Sequence, residues 1–215
     1  MPRLVLRALA AAAAAASASG VRSRVAASRI SAAAPPAAAR DAPHTLGLVP
    51  PHSLSHFCIV TSWPAFESVV AKYADFLGVV APATGIAGGP DSNGTYRGNH
   101  LVGTTKIAFL DLNNNTRMEF LAGEPSQPSW WRDVYLDKGL EVHHQGYVLP
   151  DSMDVWATVT AFTAKGFGQP VQWGHWGTYG TAGSGCYVYV DSQLSLGVTV
   201  ELLGGESNCG NLPVT

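Results

Sequence analysis

Four side chains in this sequence are of the types that hold a divalent cation: His56, Glu119, His144 and Glu201. Two neutral imidazoles and two carboxylates suit an ion of mixed nitrogen and oxygen preference, with positions left for water or a substrate. Two carboxylates buried side by side repel, so a cation between them gives such a pair a reason to coexist. Taken singly, a strand histidine is mostly a packing residue and a glutamate near a strand end is mostly solvated. What sets these four apart is that they occupy matching places in an internal repeat.

The elements that must position them can be read from the repeat. "HFCIV" at His56 and "HQGYV" at His144 each begin with a histidine and continue as a short strand. A turn with proline follows each, at Pro64 and Pro150. Phe66, Val69, Val70, Tyr73 and Leu77 then fall at helical spacing, as do Val155, Val159 and Phe162. Gly78 and Gly166 stand 22 residues after their histidines (56 to 78, 144 to 166), where a glycine ends a helix in the left-handed conformation. "KIAFLDL" and "TRMEFLA" match "CYVYVDS" and "GVTVELL" as closing strands, which aligns Glu119 with Glu201. The remaining strand of each copy is expected in "GTYRGNHLVGTT" and in "QPVQWGHW". The result is an α+β chain of two strand–helix–strand–strand–strand modules. If these pack about a pseudo-twofold axis, the four side chains converge in one cleft. The repeat selects His144 as the partner of His56, and strand alternation turns the adjacent His143 to the opposite face.

These residues and the segments around them resemble the vicinal oxygen chelate superfamily, in its glyoxalase I and methylmalonyl-CoA epimerase-like branch. "EPSQPSWWRDVYLDKGLEVHHQGYVLPD" is similar to that branch's link between modules, and "GCYVYVDSQLSLGVTVELL" to its closing hairpin. The resemblance covers about residues 52–205 and implies two βαβββ modules whose paired curved mixed sheets enclose a metal cleft. It further implies one divalent ion (zinc, nickel, cobalt, manganese or magnesium) held by His56, Glu119, His144 and Glu201. Glu201, with Glu119 as its counterpart, would move a proton at the carbon alpha to a carbonyl, on a small substrate chelated through adjacent oxygens. Trp173, His175, Trp176 and Tyr179 in "VQWGHWGTYGTAGSG" are expected to wall the substrate pocket. A ring-cleaving dioxygenase of the same superfamily needs iron on two histidines and one glutamate, so four ligands favour a non-redox lyase or isomerase. A non-catalytic small-molecule-binding member would lack the ligand set. The family commonly pairs its sheets into homodimers, and in Trp130-Trp131 one ring could pack inward and the other toward a partner.

The expected boundaries are a targeting segment and linker over 1–51, the domain over 52–206 with modules at 55–123 and 141–204, and a tail over 207–215. A net charge of −2 with 13% charged residues leaves no basic stripe for nucleic acid. No membrane-spanning run is expected after the N-terminus. Cys58, Cys186 and Cys209 have no metal-like spacing, and their odd number does not predict a disulfide framework. Six arginines and no acidic residue precede Asp41, which reads as a mitochondrial or plastid targeting segment. Ala16-Ser17-Ala18 as a signal-peptidase site gives the secretory alternative, with Asn93-Gly94-Thr95 and Asn114-Asn115-Thr116 as glycosylation patterns. The mature chain is therefore expected to begin between about residues 20 and 50. Mass spectrometry of the native protein checks this, and an intact Met1 contradicts it.

Overall fold

The structure is a computed structural model that describes residues 47–113, 116–177, 181–210 and 212–213. The expected targeting segment, the second glycosylation pattern's Asn114-Asn115 and Tyr179 lie outside the described residues.

Two βαβββ modules are present. The first comprises β1 (Leu54–Val60), α1 (Phe66–Leu77), β2 (Gly85–Gly88), β5 (Thr104–Asn113) and β6 (Thr116–Gly123). Between β2 and β5 it carries a small hairpin, β3 (Thr95–Tyr96) and β4 (Asn99–His100). After the linking helix α2 (Trp130–Lys138), the second module comprises β7 (Glu141–Val148), α3 (Val155–Ala164), β8 (Gln169–Trp176), β9 (Gly185–Asp191), the short α4 (Gln193–Leu196) and β10 (Thr199–Gly205). The strand order is β2-β5-β6-β1-β7-β10-β9-β8-β3-β4. Its first eight strands read as two mirror-ordered halves that meet where β1 and β7 pair antiparallel.

The helices form as their spacing predicts. Phe66, Val70 and Ala74 bury one stripe of α1 against Ile59, Ala108 and Phe120. Val155, Val159 and Phe162 bury the matching stripe of α3 against Val188, Val190 and Leu202. Gly78 (φ 68°) and Gly166 (φ 77°) end them in the left-handed conformation that other residues resist. These two layers lie on the outer faces. A third cluster fills the concave face from Cys58 and Leu121 onward, with Trp130, Trp131 and Val134 of α2 packed on Tyr187 and Tyr189.

Several expectations need correction. β8 is "QPVQWGHW" as read, but the first module's second strand is the glycine-rich Gly85–Gly88, not part of "GTYRGNHLVGTT". That stretch instead makes the β3–β4 hairpin, which crosses over and pairs with β8 of the other module. Both tryptophans of α2 point inward: Trp130 Nε1 donates to Thr199 Oγ1 (3.2 Å) and Trp131 Nε1 to the Tyr189 hydroxyl (3.1 Å). Neither is left for a partner, so that ground for a homodimer falls away. Trp173 lies on the outer face against Trp156 and donates from Nε1 to the Pro213 carbonyl, and it is not among the residues lining the cleft described below.

Residues after β10 pack back onto the second module. Cys186 and Cys209 form a disulfide, and Leu212 is buried in the α3 cluster. The odd cysteine count concealed one pair beside a buried free thiol, Cys58. Among the described residues no helix is long and apolar enough to cross a membrane.

Closing a loop between residues 23 apart removes denatured-state entropy worth about 3 kcal/mol. Reduction, or Cys209→Ser, should therefore lower the unfolding free energy by about that amount in urea titrations. An unchanged midpoint after reduction, verified by thiol alkylation, would contradict the pairing.

Candidate metal centre

Each of the four central strands contributes one candidate ligand to the concave face: Glu119 from β6, His56 from β1, His144 from β7 and Glu201 from β10. Registry sets them in two rows across the sheet. In one row Cys58 is flanked by Glu119 and His144. In the other Gly146 is flanked by His56 and Glu201. The middle position of each row is small for a reason visible at Gly146, where an added Cβ would stand 2.2 Å from His56 Cε1. The His56 ring lies across that glycine to meet its row-mate.

Among the histidine–glutamate pairs row-mates are closest, with His56 Nε2 2.8 Å from Glu201 Oε2 and His144 Nε2 3.0 Å from Glu119 Oε2. Across rows the distances are 3.3 Å (His56–Glu119) and 3.2 Å (His144–Glu201), and the two Nε2 atoms are 2.9 Å apart. None of the four residues is more than 5% exposed. Atoms that share an ion at about 2.0–2.1 Å lie roughly 2.9–3.4 Å from one another, and this set matches. Glu119 Oε2 and Glu201 Oε2 are, moreover, buried without a well-aligned hydrogen bond. The residues therefore fit a divalent cation.

Without an ion the same groups neutralise one another through protons. Burial alone would lower the His56 pKa, but the carboxylates of Glu119 and Glu201, which accept from its ring and attract its charge, outweigh it and push it up to about 10. His144 is raised against its burial by the same carboxylates. Burial opposes ionisation of Glu119 and Glu201 too, yet the two histidines hold both below the ordinary range.

His143 does not face the opposite side, contrary to the alternation argument. β1 advances from Cys58 to Ile59 while β7 steps from His144 to Val142, so His143 is the extra residue of a β-bulge. Both imidazoles turn inward. His143 is fully buried against Trp130 and Tyr189, with its Nδ1 2.7 Å from His144 Nδ1 and its Nε2 3.5 Å from the Trp130 carbonyl. Burial keeps it neutral, with a pKa well below the ordinary value. A neutral ring donating from Nε2 to Trp130 accepts at Nδ1, so His144 donates from its own Nδ1 and presents Nε2 to the centre.

Above the four residues opens a cleft of about 510 Å³. Of the expected wall residues, His175 and Trp176 line it. Sequence reasoning missed Ile107, Phe109, Leu121, Trp131, Tyr187, Tyr189 and Arg117. The period-2 alternation in "KIAFLDL" and "CYVYVDS" carried that signal, since Ile107 and Phe109, like Tyr187 and Tyr189, share a face with the strand positions above.

No protein-family model and no curated protein matches the chain. Among solved structures it is similar to the methylmalonyl-CoA epimerase of Mycobacterium tuberculosis, at 15% identity over 75% of this chain and 93% of that one, with a TM-score of 0.48. A Streptomyces coelicolor methylmalonyl-CoA epimerase variant in complex with 2-nitronate-propionyl-CoA is 13% identical over 71% and 96%, at 0.46. A mutant 4-hydroxymandelate synthase from Streptomyces coelicolor is 12% identical over 72% of this chain and 51% of that one, at 0.45. At these identities the likeness concerns the arrangement of strands alone and transfers no residue's role.

The protonated, metal-free centre has a pH signature. A group whose folded pKa exceeds its unfolded value stabilises below the unfolded value and loses that contribution as pH rises through the folded one. For His56 that window runs from 6.5 to about 10, and His144 acts in the same direction. Glu119 and Glu201, held below 4.5, contribute above that value and lose it as pH falls. Chelator-treated protein should thus be most stable between these limits and become easier to unfold in urea from about pH 6 to about pH 9. Excess zinc, which binds neutral imidazoles, should stabilise progressively more over the same interval. A metal-free midpoint that rises with pH there would contradict the assigned pairing.

Proposed function

We propose that this chain is a divalent-metal-dependent lyase or isomerase of the vicinal oxygen chelate type. It acts on a small substrate with adjacent oxygens and moves a proton alpha to a carbonyl. The observation that supports this most is the two-row arrangement of His56, Glu119, His144 and Glu201, whose four ligand atoms face one point under an open cleft. An ion bound there supplies Lewis-acid polarisation of the substrate oxygens and stabilises the charge left by proton removal.

The protein groups do the rest. His56 and His144 hold the ion through Nε2, and His143 keeps His144 in the orientation and tautomer that this needs. Glu119 and Glu201, one from each row, complete the ligand set. Glu201, at the cleft floor, accepts the proton from the substrate carbon and returns it to the neighbouring carbon, or Glu119 as its counterpart delivers a proton to the opposite face. The apolar walls exclude water, which strengthens each charge interaction inside. Four converging ligand residues favour this over a dioxygenase-like centre of two histidines and one carboxylate. The disulfide supports maturation in an oxidising compartment, and so the secretory alternative over an organellar matrix.

Solvent deuterium exchange into an α-oxo thiohemiacetal and an α-methyl acyl-CoA, followed by NMR on zinc-, nickel- or cobalt-loaded protein, tests this reading. Glu201→Gln should retain part of the metal through its amide oxygen and lose about 10²–10⁴-fold in exchange rate. His144→Ala should lose most of the metal. Equal exchange in wild type and Glu201→Gln, or full metal occupancy in His144→Ala, would show that the roles are assigned to the wrong residues. Metal binding with no exchange of any candidate would instead favour a binding protein.

A further inference from the structure

The cleft's walls narrow the class of molecule that the centre takes. Its volume of about 510 Å³ lies within the range of sites that enclose a small ligand whole. Glu119, Glu201 and His56 form the floor, with His144 buried beneath it. Ile107, Leu121, Trp131 and Tyr187 rise from it, and Phe109 and Trp176 stand at the rim. The rim aromatics are 37% and 42% exposed, which leaves apolar surface in water that a ligand would cover. Trp176 is placed there in advance: its ring lies against the backbone of Gly185, where a Cβ would come within 2.2 Å of Trp176 Cζ2. Among the described lining residues Arg117 is the one lysine or arginine, and its Nε is paired with Asp111 Oδ1 at 2.9 Å. Its guanidinium also sits 5.7 Å from the centre of the Phe109 ring. It therefore extends an aromatic wall, and its pair with Asp111 is a solvent-exposed one. On the floor, a divalent ion and two carboxylates sum to zero.

We propose that the ligand carries a compact aromatic or branched apolar group directly beside its chelating oxygens, and that this group, rather than a charged carrier, supplies most of the binding energy. The proposal rests on the metal-centre reading above. A chelating head on the floor places such a group between Phe109 and Trp176, where it removes apolar surface from water on both sides. An ionised group held between these rings would lose part of its hydration to apolar surface.

Hydroxamates separate head from tail, since the metal-binding group stays constant. Acetohydroxamate, benzohydroxamate and 4-carboxybenzohydroxamate would be titrated calorimetrically into the zinc-loaded full chain, with zinc stoichiometry measured first and zinc retention verified afterwards. Benzohydroxamate should bind about 30-fold more tightly than acetohydroxamate, as expected when roughly 80 Å² of apolar surface is withdrawn from water. The 4-carboxylate should cancel most of that gain. Phe109→Ala and Trp176→Ala should each weaken benzohydroxamate by about 5- to 10-fold and change acetohydroxamate by less than about 2-fold. Equal affinities across the three compounds, or tightest binding of the carboxylate, would overturn the proposal and leave the metal centre standing. Failure of the full chain to bind zinc would remove the metal centre and the proposal together.

Discussion

Four ionisable side chains buried at one point are the constraint on which the rest of this structure depends. Two carboxylates brought out of water within a few ångströms of each other are tolerable only if positive charge is shared between them. His56 and His144 carry that charge as protons when no ion is present, and release it to a cation when one arrives. The sheet is built so that no other residue occupies the space. Cys58 and Gly146 are the small middle members of the two rows, and Gly146 cannot gain even a methyl group without striking the His56 ring.

A twofold relation between modules is the simplest way to meet that constraint. One βαβββ unit supplies one histidine and one carboxylate on neighbouring strands, too few to hold an ion. Pairing β1 with β7 antiparallel doubles the set and puts each histidine beside a carboxylate of its partner module. Once the floor is fixed this way, the modules are free to differ elsewhere. The first sends its hairpin across to β8, and the second ties its chain end to β9 through the disulfide. The linking helix α2 plugs the concave face with two tryptophans whose indole nitrogens both bond to second-module residues. The cleft is thereby left to the residues above.

Most of the site was legible because it lies on repeated, strongly patterned elements. His56 and His144 lie on the first strand of each module, Glu119 and Glu201 on the last, and both helices carry unambiguous stripes ended by glycine. The second strand of module one was not legible, because Gly85–Gly88 has a single large apolar side chain and so no period to detect. Trp173 was misplaced because the two faces of its strand were not told apart. On β8 it stands opposite Val188, whose face belongs to α3, while the neighbouring Gly174 stands opposite Tyr187 of the cleft. The Cys186–Cys209 pair joins a strand to a turn that follows the last strand, a contact with no local pattern behind it.

The dipeptide His143-His144 shows where alternation stops being a safe guide. The two-residue period of a strand holds only while its ladder advances one residue for one residue. Between Cys58 and Ile59 it does not, and the extra residue brings a second imidazole to the same side as the first. The cost of a locally broken ladder is offset by what the second ring does. A metal-binding histidine has two nitrogens, and the one turned away from the ion needs a partner that fixes which of them carries hydrogen. Carboxylates commonly serve, but a third carboxylate here would add negative charge to a buried site that already holds two. A neutral imidazole, anchored at its far nitrogen by the Trp130 carbonyl, accepts the hydrogen bond without adding charge. The same need to keep charge low at the floor thus accounts for an uncharged residue behind His144, and for the bulge that delivers it.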